Sequence, residues 1–153
     1  MIHKSLCIGS PKFPLSAYAN DRIFKIFLLD VGLLGAQSNL TAQTVIQGNI
    51  LFTEFKGALI ENYVAQELIA LRSSPLYYWT SSGTAEVDFL IEKDEKVFPL
   101  EVKSGINNKK KSLQSYEAKY GTSFLLRATA MNLKKDGNLG NYPLYLISRL
   151  LDF

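Results

Sequence analysis

Apolar positions along the chain change period several times, and each change marks an element. Phe55, Leu59, Ala65 and Ile69 recur at helical spacing and predict a helix over 50–71. Glu61 precedes Ala65 by one turn and Leu68 by two, so it borders the apolar side of that helix. After Pro75 the period becomes two. Leu76–Thr80, aromatic-rich, reads as a strand, and Ser81, Ser82 and Gly83 as a turn. From Ala85 to Ile91, Val87, Phe89 and Ile91 face one way and Glu86, Asp88 and Leu90 the other. The charged run Glu92–Lys96 predicts a hairpin loop and Val97–Lys103 the returning strand, with Pro99 marking an irregularity.

A lysine-rich helix is expected over 109–120, a buried strand over 122–128, a turn over 135–140 and a strand over 142–147, followed by a short amphipathic end. Upstream, Met1–Ser10 reads as a strand fragment, Pro11 and Pro14 as an extended link, and Ile23–Leu34 as a strand followed by a short helix. The sum is an α/β fold, a sheet flanked by helices.

Composition narrows the chemistry. The 153 residues, 47% hydrophobic and 20% charged, suit one soluble domain with its own core. A net charge of +3 permits contact with nucleic acid without demanding it. One cysteine, Cys7, forms no internal bridge and fits a reducing compartment. With one histidine, His3, beside it, zinc chemistry lacks ligands. Cys7 and His3 as a nucleophile pair are disfavoured because the N-terminus is expected to fray. No apolar run reaches the ~18 residues that span a bilayer, and no signal peptide opens the chain, so a cytoplasmic protein without a membrane partner is expected.

Three polar residues stand among apolar neighbours. Glu101 and Lys103 lie two apart and share a strand face, and the hairpin can bring Asp88 beside them. Two carboxylates and an ammonium at one spot suit a hard cation such as Mg²⁺ or Mn²⁺, which binds through few carboxylates and keeps several waters. Such an ion offsets phosphodiester charge while the lysine orients water. Glu61 adds a further carboxylate from its helix. Spacing alone more often describes a solvated sheet face with a salt bridge, but charges among such apolar neighbours usually have partners. Lys109, Lys110 and Lys111 lie near a helix start, where they serve as phosphate contacts or as a solvated cluster. Gln114 and Tyr116 share that helix. Tyr77, Tyr78 and Trp79 suit base stacking or, better, core packing.

Four blocks carry a resemblance that covers nearly the whole chain: Phe24–Ala36, Gly57–Leu68, Tyr77–Gly105 and Asn141–Leu150. The chain resembles the DUF4143 family, which is similar to PD-(D/E)XK nucleases and stands at the C-terminus of bacterial and archaeal AAA-type ATPases. The resemblance implies a restriction-endonuclease-like mixed sheet over 23–153, with 1–22 a linker or truncated remnant of a preceding region. It implies Asp88, Glu101, Lys103 and Glu61 as catalytic positions, with Asp88, Glu101 and the Val102 carbonyl as metal ligands. Val87 replaces the name-giving proline, and no G-x-x-x-x-G-K-[ST] phosphate loop is present, so the chain is expected to hold the C-terminal part alone. Two functions follow: a Mg²⁺-dependent endodeoxyribonuclease, or a non-catalytic module that binds DNA or protein and positions an ATPase, in cis or trans. Either is compatible with a homo-oligomer.

Overall fold

The computed structural model describes residues 2–43, 50–72, 75–105, 111–150 and 152, with backbone alone at 50–54 and 72. It is a mixed α/β structure built on two mixed sheets. One sheet runs in the order β2 (Ala19–Leu28), β1 (Ile2–Ile8), β3 (Leu76–Thr80), β4 (Glu86–Val87). The other runs β5 (Phe89–Lys93), β6 (Lys96–Val102), β7 (Leu125–Thr129), β9 (Leu139–Pro143), β8 (Lys134–Asp136). In the first, β1 is antiparallel to β2 and parallel to β3, and β3 is antiparallel to β4. In the second, β6, β7 and β9 are parallel, with antiparallel β5 and β8 at the two edges. Among the described residues the long helices are α2 (Ile50–Arg72) and α3 (Lys111–Tyr120), with the shorter α1 at Val31–Gln37.

The second sheet is covered on both faces. On one, Val64, Ala65 and Leu68 of α2 pack with Phe89, Ile91, Phe98, Leu100, Leu126 and Ala128. On the other, Leu113 and Tyr116 of α3 pack with Leu90, Leu125, Leu139 and Trp79. Parallel strands covered on both sides explain why every residue of β7 is buried and its pattern shows no alternation.

Several expectations shift. The stretch 85–91 is not one strand: Glu86–Val87 pair with β3, and Phe89 onward pairs with β6, so the chain changes sheets at Asp88. The loop over 92–96 shrinks to Asp94 and Glu95, both at positive φ (49° and 59°), the two-residue hairpin geometry that matches strand twist. The turn over 135–140 tightens to Gly137–Asn138, with β8 and β9 pairing around it. The strand expected over 142–147 ends at Pro143. Leu144–Arg149 instead form a 3-10 helix, because apolar Leu144, Ile147 and Leu150 recur every third residue and seat against α2. In α2 the buried stripe is Val64, Ala65 and Leu68, whereas Phe55 is exposed.

Strand β2 starts at Ala19, earlier than expected. Residues 2–8 form β1 in the interior of its sheet, with Ile8 fully buried. The N-terminus is therefore a paired strand rather than a frayed end, and what separates Cys7 from His3 is distance. Four positions of extended chain span about 13 Å. Among the described residues no helix is long and apolar enough to cross a membrane.

Candidate carboxylate–lysine site

The change of sheets at Asp88 creates the site. Val87 and Phe89 are both fully buried, one in each core. The residue between them bends the chain. Phe89 pairs with Leu100, so Asp88 stands just before that register begins, at the Glu101 end of β6. Asp88 Oδ2 accepts a hydrogen bond of 2.7 Å from the Val102 backbone N–H. That bond replaces a strand-ladder partner and links the junction to the end of β6.

Glu101 is 2% exposed. Its Oε1 lies 2.9 Å from Lys103 Nζ, as the shared strand face requires. Its Oε2 is buried with no hydrogen-bond partner among the described residues. A buried carboxylate oxygen of that kind is costly unless something positive meets it. Lys103 is the more open partner, with 35% of its side chain exposed.

Glu61 reaches the same place from α2, and here the structure adds two residues. Lys25 Nζ on β2 lies 3.0 Å from Glu61 Oε1, 2.5 Å from Glu86 Oε1 and 4.0 Å from Asp88 Oδ1. The Tyr78 ring lies 5.1 Å from the same ammonium. Asn62, next to Glu61, is buried and holds β2 in place. Its Oδ1 accepts from Leu28 N at 2.8 Å, and its Nδ2 donates to Leu28 O at 3.2 Å.

The electrostatics follow from burial. Desolvation first, then the neighbouring Glu61 carboxylate, push Asp88 from its ordinary value of 3.8 up to about 7. The Val102 N–H and Lys25 pull the other way, and Glu101 adds to the rise. Lys25 shows a net upward shift: Glu61, Glu86 and Asp88 together outweigh the burial that opposes its charge, itself the largest single influence.

The structure thus gathers Asp88, Glu101, Lys103 and Glu61 around one junction and ties Val102 to it through its amide. Lys109 and Lys110 lie outside the described residues, and Lys111 is an exposed residue at the start of α3. Tyr77, Tyr78 and Trp79 are core residues, 7%, 5% and 1% exposed, and so offer no stacking face. Tyr116 packs edge-on against Trp79, with ring centres 5.3 Å apart, and Gln114 points to solvent. Sequence reasoning passed over Glu86 and Lys25. The period-two pattern already set Glu86 on the side of Asp88. Lys25 had no local signal, because it arrives from a strand that precedes the others by some fifty residues.

Among the described residues, no three acidic, histidine or cysteine side chains form a group that could hold a metal ion. Magnesium needs less: one or two carboxylates and water suffice. The donor chemistry of Asp88 and of the unpartnered Glu101 Oε2 fits that requirement.

Fold and site together define a mixed α/β domain with a partly buried carboxylate–lysine cluster where its two sheets meet. The Domain of unknown function (DUF4143) family matches residues 56–147, more than half of the chain, and the chain belongs to that family. Two curated relatives, the uncharacterized proteins Rv2008c of Mycobacterium tuberculosis and Mb2031c of Mycobacterium bovis, are each 31% identical over 80 residues, or 52% of this chain. The match spans only 17% of the length of either relative. No solved structure matches the chain.

Proposed function

We propose that this chain is a metal-dependent nuclease domain with a restriction-endonuclease-like site, hydrolysing phosphodiester bonds in DNA. The observation that carries the reading is Glu101. It is a fully enclosed carboxylate with one oxygen on Lys103 and the other on no protein partner, beside a second carboxylate held by a backbone amide. Asp88 and Glu101 would hold a magnesium or manganese ion, with the Val102 carbonyl as a further oxygen and Glu61 in support. Such an ion offsets charge on the phosphodiester and acidifies water. The residues of the chain do the rest. The Val102 N–H fixes the rotamer of Asp88, and the Lys103 ammonium, about a third open to solvent, orients water or meets developing negative charge. Lys111, with Lys109 and Lys110 next to it in sequence, would contact phosphates flanking the scissile bond.

The test is cleavage of supercoiled and branched DNA with Mg²⁺ or Mn²⁺, comparing the native protein with Asp88→Ala and Lys103→Ala. Activity in the native protein and a loss of 100-fold or more in each variant, roughly the effect of removing a metal ligand or general acid–base group, is the expected result. No cleavage of any DNA form by folded protein sinks the proposal.

A second reading draws on a separate observation. Lys25 already pairs with both Glu61 and Glu86. A cluster satisfied in this way suits a non-catalytic module that binds DNA or protein and positions an ATPase, a larger assembly in keeping with the greater length of the relatives. Calorimetry with Mg²⁺ separates the two readings, since the module has no need of the ion.

A further inference from the structure

Lys25 Nζ lies among three carboxylates, those of Glu61, Glu86 and Asp88. Asp88 Oδ2 is committed to the Val102 N–H, which leaves Oδ1 as the oxygen turned toward Lys25 Nζ, 4.0 Å away. Glu61 Oε1 is engaged by the same ammonium at 3.0 Å. One oxygen of Glu61 and the uncommitted oxygen of Asp88 are therefore both directed at Lys25. Glu86, with a more exposed side chain, is the third contact of that ammonium. Lysine carries its charge on a flexible four-carbon stem, so it can leave two partners while keeping the third. Strand β2, which bears it, is the edge strand of its sheet.

We propose that Lys25 is the resident cation of this cluster, and that a divalent ion binds there by displacing the Lys25 ammonium from Glu61 and Asp88 onto Glu86. The inference rests on the metal-site reading above and names what regulates that site. Lys25 sets the metal affinity and keeps the three carboxylates around it tolerable when no ion is bound. An ammonium about 5 Å from a doubly charged ion weakens its binding roughly tenfold even at the dielectric of water, and more when partly enclosed.

The experiment is a calorimetric titration of the full chain with Mn²⁺ and Mg²⁺ at low salt, comparing the native protein, Lys25→Met and Lys25→Arg. Lys25→Met is expected to bind either ion roughly tenfold or more tightly than the native protein, and Lys25→Arg, which keeps the charge, to stay near it. Equal or weaker binding by Lys25→Met, with near-ultraviolet circular dichroism unchanged, overturns the proposal and leaves the metal site standing. Binding by none of the three proteins removes the metal-site reading itself. Should Lys25→Met fail to fold, the native protein labelled at lysine Cε decides. The Lys25 resonance, assigned by its loss in Lys25→Arg, is expected to shift as Mg²⁺ saturates the site. A resonance that stays in place while Mg²⁺ binds overturns the displacement.

Discussion

Asp88 carries the largest electrostatic cost at the site. Its carboxyl is pushed up to about 7, chiefly by burial and next by Glu61, so between pH 4 and 7 the folded chain holds a proton that the unfolded chain has released. Folded stability therefore declines as pH rises through that window and levels off above it. The full shift corresponds to an upper bound of about 4 kcal/mol, and coupling to Glu61 and Lys25 will reduce what is seen. In Asp88→Asn the amide oxygen can still accept from the Val102 N–H, and no charge has to be buried. The difference in unfolding free energy between variant and native protein is expected to grow in favour of the variant by about 1–3 kcal/mol from pH 5 to pH 8. Urea unfolding at a series of pH values measures it. A difference that stays flat with pH places Asp88 in far wetter surroundings than its burial indicates.

At the scale of elements, α3 is held to the first sheet by aromatic contacts. Trp79 on β3 donates its indole N–H to Tyr120 Oη at 3.0 Å, and the Tyr120 hydroxyl in turn reaches Gly9 O at 3.3 Å. The rings of Tyr116 and Tyr120 both lie edge-on to Trp79. Tyr120→Phe preserves the ring contacts and strands a buried indole donor, so a loss of about 1–2 kcal/mol is expected in denaturant unfolding, with the fold intact. Sequence could name Trp79 and Tyr120 as apolar positions of a strand and a helix, but not as bonded partners 41 residues apart.

The same limit applied to the site. Glu101 and Lys103 were legible because strand alternation is local, and Asp88 because a short hairpin follows it. The split of the strand at Asp88 was not legible, since Val87 and Phe89 are equally apolar and differ only in which core receives them. Leu144–Arg149 failed for a related reason: a short apolar run fits a strand or a 3-10 helix until the surface that receives it is known.

At the scale of the molecule, the junction joins three bodies: the first sheet through Lys25, the helix α2 through Glu61, and the second sheet through Glu101 and Lys103. Asn62 clamps two of them, α2 and the first sheet: it is buried and bonds both backbone groups of Leu28, three residues along β2 from Lys25. Gln66, one turn further along α2, accepts from Val31 N at 3.0 Å and extends the clamp. Asn62→Ala removes both bonds to Leu28 at a buried position, for an expected loss of about 1–3 kcal/mol. Simple loss of packing would end there. If the clamp also positions the cluster, Lys25 moves away from Asp88 and withdraws the charge that holds the Asp88 carboxyl down. The Asp88 midpoint, read from its side-chain carboxyl ¹³C shift, is then expected to rise above that of the native protein, and amide exchange along β2 to quicken. A destabilised Asn62→Ala protein with an unchanged Asp88 midpoint makes Asn62 a packing residue only, and shows that the placement of Lys25 is set within its own sheet.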